Sequence, residues 1–223
     1  MNQNYSTVMR SASSAVLTNK VLRNTYLLLS LTLLFSGLTA ALSMFLNMPP
    51  MTYLISVIGG MVIAMFVLPR FANSTAGIGI VFLITGLLGF GLGPILTMYA
   101  SLPNGNNIIT ISLAGTGVIF MGLSVYALVT RKDFSFLGGF LMIGFLLILL
   151  AALANIFLQI PAMSLMISAA VILTMSGFIL YDTSRIIHGG ETNYVLSTIG
   201  LYMTIFNIFI SLLQILGIMG NDD

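Results

Sequence analysis

The sequence predicts an all-α integral membrane protein with seven transmembrane helices, its N-terminus inside and its C-terminus outside. Two observations carry that reading. Seven apolar stretches each have roughly the 17 to 25 residues a helix needs to cross the hydrocarbon core, and every Lys and Arg falls on one side of a membrane drawn through them. Arg10, Lys20 and Arg23 precede the first stretch, Arg70 follows the second, Arg131 and Lys132 follow the fourth, and Arg185 follows the sixth. The intervening loops and the C-terminal tail carry none, so the excess of basic residues on the cytoplasmic side fixes the orientation, and an even number of spans would break the pattern.

Composition agrees. With 58% hydrophobic and 5% charged residues, and a mean hydropathy of +1.11, 12 charged side chains cannot cover a water-facing surface. The net charge of +2 is used in setting orientation, which argues against a nucleic-acid partner. There is no Cys, so disulfides, thiol catalysis and Cys-based metal sites are excluded.

The elements follow in order. Residues 1–20 are rich in Ser, Asn and Thr without an apolar period, and are expected to form a flexible cytoplasmic arm ahead of a membrane domain over 21–218. The first span, Asn24 to Leu46, follows Lys20 and Arg23 as a signal peptide would. Its apolar run is longer than the about 7 to 15 residues of a cleavable core and no A-x-A site follows, so it reads as an uncleaved anchor. A short reversal at Asn47–Pro50 leads to the second span, Met51 to Leu68. The third, Ala76 to Tyr99, is dense in glycine, and its Gly89 and Gly93 form a small-xxx-small pair that admits another backbone closely. That density fits intramolecular packing, a glycine-lined path or a dimer seam. Pro94 is expected to kink its outer end.

A Pro-Asn-Gly turn signal within Ser101–Asn107 precedes the fourth span, Ile108 to Thr130. Asp133 and Ser135 are placed to cap the fifth, Phe136 to Leu158. Gln159–Pro161 allows only a tight reversal into the sixth, Ala162 to Tyr181, whose helix continues through Ile187 to a Gly189-Gly190 stop. The seventh, Val195 to Gly217, leaves a short outer tail over 219–223 ending in Asp222 and Asp223. With no Trp, interface anchoring falls to Tyr26, Tyr53, Tyr99 and Tyr194. No internal repeat is visible, which argues against inverted-repeat transporters.

An ionisable residue at membrane depth is a functional candidate by default, and Asp182 is the one good case. Arg185 lies three residues on along the same helix, so a local Asp182–Arg185 pair is the plain alternative to an ion- or proton-sensing role. His188 and Glu191 follow, but neither H-x-x-x-H nor H-E-x-x-H spacing occurs, so no metal site is assigned and His188 reads as a helix C-terminal residue. Serine and aspartyl intramembrane proteolysis need a Ser–His pair or two aspartates within spans, which this chain lacks. Thr204, Asn207 and Gln214 recur along the seventh span, where interhelical hydrogen bonding is the default explanation.

Two segments carry a family resemblance. Arg131-Lys132-Asp133-Phe134-Ser135-Phe136-Leu137-Gly138-Gly139 and Tyr181-Asp182-Thr183-Ser184-Arg185-Ile186-Ile187 resemble the signatures of the Bax inhibitor-1 (transmembrane Bax inhibitor motif) family, and the likeness spans essentially all seven helices. Lys20–Tyr26, Ala154–Gln159 and Ile187–Tyr194 are similar to a bacterial branch of that family. The resemblance implies a fold in which the last helix is surrounded by the other six, and a place in the bacterial inner membrane. It also implies one of two activities. Members of the bacterial branch restrain the membrane-anchored AAA protease FtsH. Other members are pH-sensitive calcium leaks that use an aspartate in the Tyr-Asp-Thr motif and a second in a Leu-Tyr-Leu-Asp pattern on the last helix.

Here Asp182 matches the first aspartate, but the second pattern reads Leu201-Tyr202-Met203-Thr204. Two nearby carboxylates share a proton, whereas a lone one loses that coupling. Calcium also wants about 6 to 8 oxygens, several of them from carboxylates. The expectation is therefore a non-enzymatic, cofactor-free modulator of an FtsH-type AAA protease, with Asn2, Arg10 and Lys20 of the arm as the partner-binding candidates. A pH-sensitive calcium leak is the alternative, with Asp182, Arg185, Thr204 and Asn207 as its candidate site and Asp182 as the weak calcium ligand. A membrane scaffold is the third reading.

Overall fold

The computed structural model describes the backbone of residues 2–220 and the side chains of residues 19–220. Among the described residues every regular element is helical, and seven helices are long and apolar enough to cross a membrane. They are α1 (Asn2–Phe45), α2 (Met51–Phe71), α3 (Thr75–Ala100), α4 (Gly105–Thr130), α5 (Leu137–Leu158), α6 (Pro161–Ile187) and α7 (Tyr194–Met219). Hydrocarbon offers no partner for a free N–H or C=O, so each apolar run must satisfy its backbone internally as helix. The shortest, α2, has 21 residues, about 31 Å at 1.5 Å per residue, which matches the roughly 30 Å core.

Helix ends follow local chemistry. Pro161 opens α6, where its missing N–H would have had no acceptor anyway. Arg131 and Gln159 end α4 and α5 in left-handed conformation at φ +50° and +53°. Gly189, at φ +73°, follows the end of α6 and lets Gly190 N–H return 2.8 Å to Arg185 O. Inside α2, Ile63–Val67 widens to π-helix, with Leu68 N–H bonding back to Ile63 O. Pro69 explains it: a proline ring collides with the carbonyl four residues earlier, and the wider turn relieves that clash.

The backbone of residues 2–20 is helical and continuous with the rest of α1, as neither Gly nor Pro occurs before Gly37 to interrupt a ladder already nucleated in the span. One expectation changes. Asp133 and Ser135 do not cap α5, which begins at Leu137 without a side-chain cap. Asp133 Oδ1 instead accepts Ser135 N–H at 2.9 Å, closing a turn just ahead of the helix. Pro94 lies inside α3, which continues to Ala100.

Packing in lipid rests on close fit, since hydrocarbon tails are as apolar as the side chains. The core runs along α7, whose Leu201, Tyr202, Ile208 and Leu213 are almost wholly buried. Helices α1, α3, α4 and α6 pack directly on α7, while α2 lies mainly on α3 and α5 mainly on α6. Four helices are thus direct neighbours of α7, and two are set further out. The glycines of α3 make its fit: Gly86 faces Phe35, Gly89 faces Ser36 and Thr39, and Gly93 faces Ser43, all on α1. A Cβ on Gly89 would run into the carbonyl and hydroxyl of Ser36. Intramolecular packing therefore accounts for these three glycines.

Candidate functional site

The two signature segments meet at the end of the bundle where the basic residues lie. Ser184, fully buried near the end of α6, accepts Phe134 N–H at 2.9 Å and donates to Lys132 O at 3.3 Å. One hydroxyl thus fastens the α4–α5 loop onto α6. Gly138 lies against the Tyr181 ring, where a Cβ would come 2.9 Å from the nearest ring carbon. His188 Nδ1 is 2.9 Å from Ser184 O; a carbonyl only accepts, so Nδ1 carries the proton. Asp133 lies in this loop. Hydrogen bonds from the Ser135 hydroxyl and N–H hold its carboxyl below the usual carboxylate range, with the charge of His188 adding to the effect.

Ser184, His188 and Asp133 do not form a hydrolytic triad. The Ser184 hydroxyl is buried and directs its proton to Lys132 O, and a protonated Nδ1 cannot accept it. A nucleophilic serine needs an accessible oxygen and a basic nitrogen facing it. The cluster is a structural clasp.

Arg185 does not pair with Asp182. It reaches Glu191 at 3.6 Å, donates to Gly190 O at 3.1 Å and lies 5.6 Å from the Tyr181 ring centre. The Gly189–Gly190 turn folds back over the helix end and carries Glu191 to the guanidinium, whereas Asp182 points at α7. Its Oδ2 is 3.5 Å from the place a Cβ on Gly200 would occupy. A Cβ at Gly200 would meet the carboxylate at ordinary van der Waals distance, so the side chain lies against α7 without crowding it.

Thr204 lies one turn beyond Gly200 and donates to Gly200 O at 3.0 Å. Asn207 also turns inward on its own helix, its Nδ2 donating to Met203 O at 2.8 Å, so of Asn207 and Gln214 only the second makes the interhelical bond expected of both. Gln214 takes that role by accepting the Ser168 hydroxyl at 2.8 Å, tying α6 to α7. Lys20 is exposed at the start of the span, while the side chains of Asn2 and Arg10 lie outside the described residues. Among the described residues no three His, Cys, Asp or Glu side chains come together as metal ligands.

Two connections carry no local sequence signal of their reach. Asn193 accepts Val195 N–H and Leu196 N–H, capping α7, while its Nδ2 donates to Ala72 O at 3.0 Å and Asn73 Oδ1 at 2.8 Å. A polar residue just before an apolar run signals the cap, but not the bond to the α2–α3 loop. Tyr202 and Ser36 share a hydrogen bond of 2.6 Å, and Tyr202 also donates to Thr85 O at 3.3 Å, joining α7, α1 and α3. A tyrosine inside an apolar span needs a partner for its hydroxyl, which is the available signal.

Fold and site define a polytopic, all-helical membrane protein whose signature segments are clasped together at the basic end. Residues 18–221 match the family described as inhibitor of apoptosis-promoting Bax1, and the chain belongs to that family, the Bax inhibitor-1 proteins. It is 45% identical to an uncharacterized membrane protein of Vibrio cholerae over the whole of both chains. It is 51% identical to an uncharacterized protein of Pseudomonas aeruginosa over 91% of each chain. It is 50% identical to a protein of Escherichia coli named modulator of FtsH protease YccA, over 94% of this chain and 95% of that one. The same protein in another E. coli strain is named inner membrane protein YccA.

Proposed function

We propose that this chain is an inner-membrane protein that binds an FtsH-type AAA membrane protease and restrains it, without catalytic activity of its own. The observation that supports this most is the 50% identity, over 94% of the chain, to the E. coli protein named modulator of FtsH protease. The basic residues argue for a cytoplasmic N-terminus and an outer C-terminus. In that orientation α1 contributes a handle on the cytoplasmic side: its 44 residues make about 66 Å of helix, roughly twice the hydrocarbon thickness. Calcium leak ranks second because Thr204 stands where a second carboxylate would be and its hydroxyl is spent on Gly200 O.

The test is a mild-detergent pull-down of the tagged chain from bacterial membranes, together with the half-life of a membrane substrate of the protease. Co-purification of the protease and a longer substrate half-life on overexpression are expected. An unchanged half-life with no protease recovered would overturn the reading.

A further inference from the structure

A cavity of about 430 Å³ lies between α1 and α4 and is backed by α7 and the outer half of α3. Helices α1 and α4 meet at the Tyr26 and Phe120 rings, 6.0 Å between centres, and beyond that pair each leans on α7 and on α3. Gly37 on α1 and Gly117 on α4 line the gap, and a Cβ at either would meet nothing within 4 Å. Ile205, Phe206 and Phe209 of α7, all buried, form the back wall.

The three hydroxyls in the lining are spent within the protein. Ser36 bonds Tyr202, Tyr202 donates to Thr85 O, and Thr116 donates to Ser112 O at 2.7 Å. The cavity thus presents carbon and bonded oxygen, which suits neither an ion nor a polar solute. An empty void of this size would forfeit dispersion contacts along all its walls, and at this depth the surrounding apolar matter is lipid.

Dimensions choose the occupant. Along α1 the lining runs from Leu33 to Met44, about 16 Å at 1.5 Å per residue, against about 15 Å for one leaflet of a 30 Å core. A single extended hydrocarbon chain fits. We infer that the α1–α4 cleft seats one acyl chain of a phospholipid from the leaflet facing away from the basic residues, its tail against Tyr202 and Phe206.

The probe is the full-length protein in nanodiscs of phosphatidylethanolamine and phosphatidylglycerol, doped with phospholipid bearing a diazirine near the end of one acyl chain. After illumination, adducts are mapped by mass spectrometry. Adducts on Ile205, Phe206 or Phe209 are expected, because surrounding lipid reaches only exposed residues such as those of α5. In a Gly37→Leu/Gly117→Leu double variant, which fills the cleft from open space, the α7 adducts should be lost while the α5 adducts persist as a folding control. Wild-type adducts confined to exposed faces would overturn the inference without any variant. So would α7 adducts unchanged by the double variant, or α1–α4 crosslinks between two copies of the chain in place of lipid adducts.

Discussion

The Phe134 N–H donates to the Ser184 hydroxyl across 2.9 Å, joining two signature segments that lie 50 residues apart in the chain. Removing that oxygen leaves the Phe134 N–H and the Lys132 carbonyl without this partner. Ser184→Ala should cost about 1–3 kcal/mol, the usual penalty for an unpaired buried polar group. The cost would appear as a lower unfolding midpoint in detergent and as faster tryptic cleavage after the exposed Arg131 and Lys132. Unchanged cleavage would mean that the loop is held by other contacts.

Gly89 and Gly122 should respond oppositely to alanine. A methyl at Gly89 meets the Ser36 carbonyl and the Thr39 hydroxyl and forces α1 from α3, whereas one at Gly122 meets nothing within 4 Å. Gly89→Ala is expected to destabilise by about 1–3 kcal/mol through overpacking. Gly122→Ala should be neutral or stabilise by up to about 1 kcal/mol through lower chain entropy. Denaturant unfolding of both variants in one detergent checks the contrast.

Asp133 supplies a pH dependence with a definite sign. Its folded carboxyl sits below the ordinary value of 3.8, chiefly through hydrogen bonds from Ser135. The turn it closes is therefore fully supported above that value and loses this support as pH falls through the lower folded one. Hydrogen exchange at the Ser135 amide, corrected for its intrinsic rate, should accelerate over that acidic window. Asp133→Asn should remove the step.

Calcium flux tests the second reading. Liposomes carrying the wild type should show low flux, because Thr204 offers a hydroxyl already bonded to Gly200 O in place of a second carboxylate. Thr204→Asp places a second carboxylate one turn from Gly200, which Asp182 faces, so the two acids should share a proton and introduce pH-dependent flux. Robust wild-type flux abolished by Asp182→Asn would put the calcium leak ahead of the protease modulator.

Orientation is checked by fusions. A C-terminal alkaline phosphatase should be active and a C-terminal green fluorescent protein dark, as all seven basic residues require. The reverse result would place the C-terminus in the cytoplasm.

The spans were legible because hydropathy and loop length are local properties, and each predicted span overlaps its helix with only small shifts at the ends. Helix continuity was less so. Polar residues 2–20 look like loop by composition, yet nothing among them stops a helix that the apolar run has started. The site was legible in its residues and not in its bonds. Spacing along one helix suggested Arg185 with Asp182, but the Gly189–Gly190 turn brings Glu191 closer. Asp133 and Ser135 have the composition of a cap, but local hydrogen bonding closed a turn before α5 could begin. Ser184, Asn193 and Tyr202 act over 50 to 166 residues of separation, a reach that no window of sequence displays.

Many of the hydroxyls within the spans bond the backbone of their own helix: Thr32 to Leu29, Thr97 to Gly93, Ser112 to Ile108, Thr116 to Ser112, Thr204 to Gly200. Each helix can therefore enter the bilayer with these groups already satisfied, asking nothing polar of its neighbours. Beside the few interhelical bonds of Tyr202 and Gln214, what then decides which helices come together is shape. The notches of α3 admit α1 and refuse bulkier partners, so recognition between helices resembles the fit of a key's profile more than the pairing of charges.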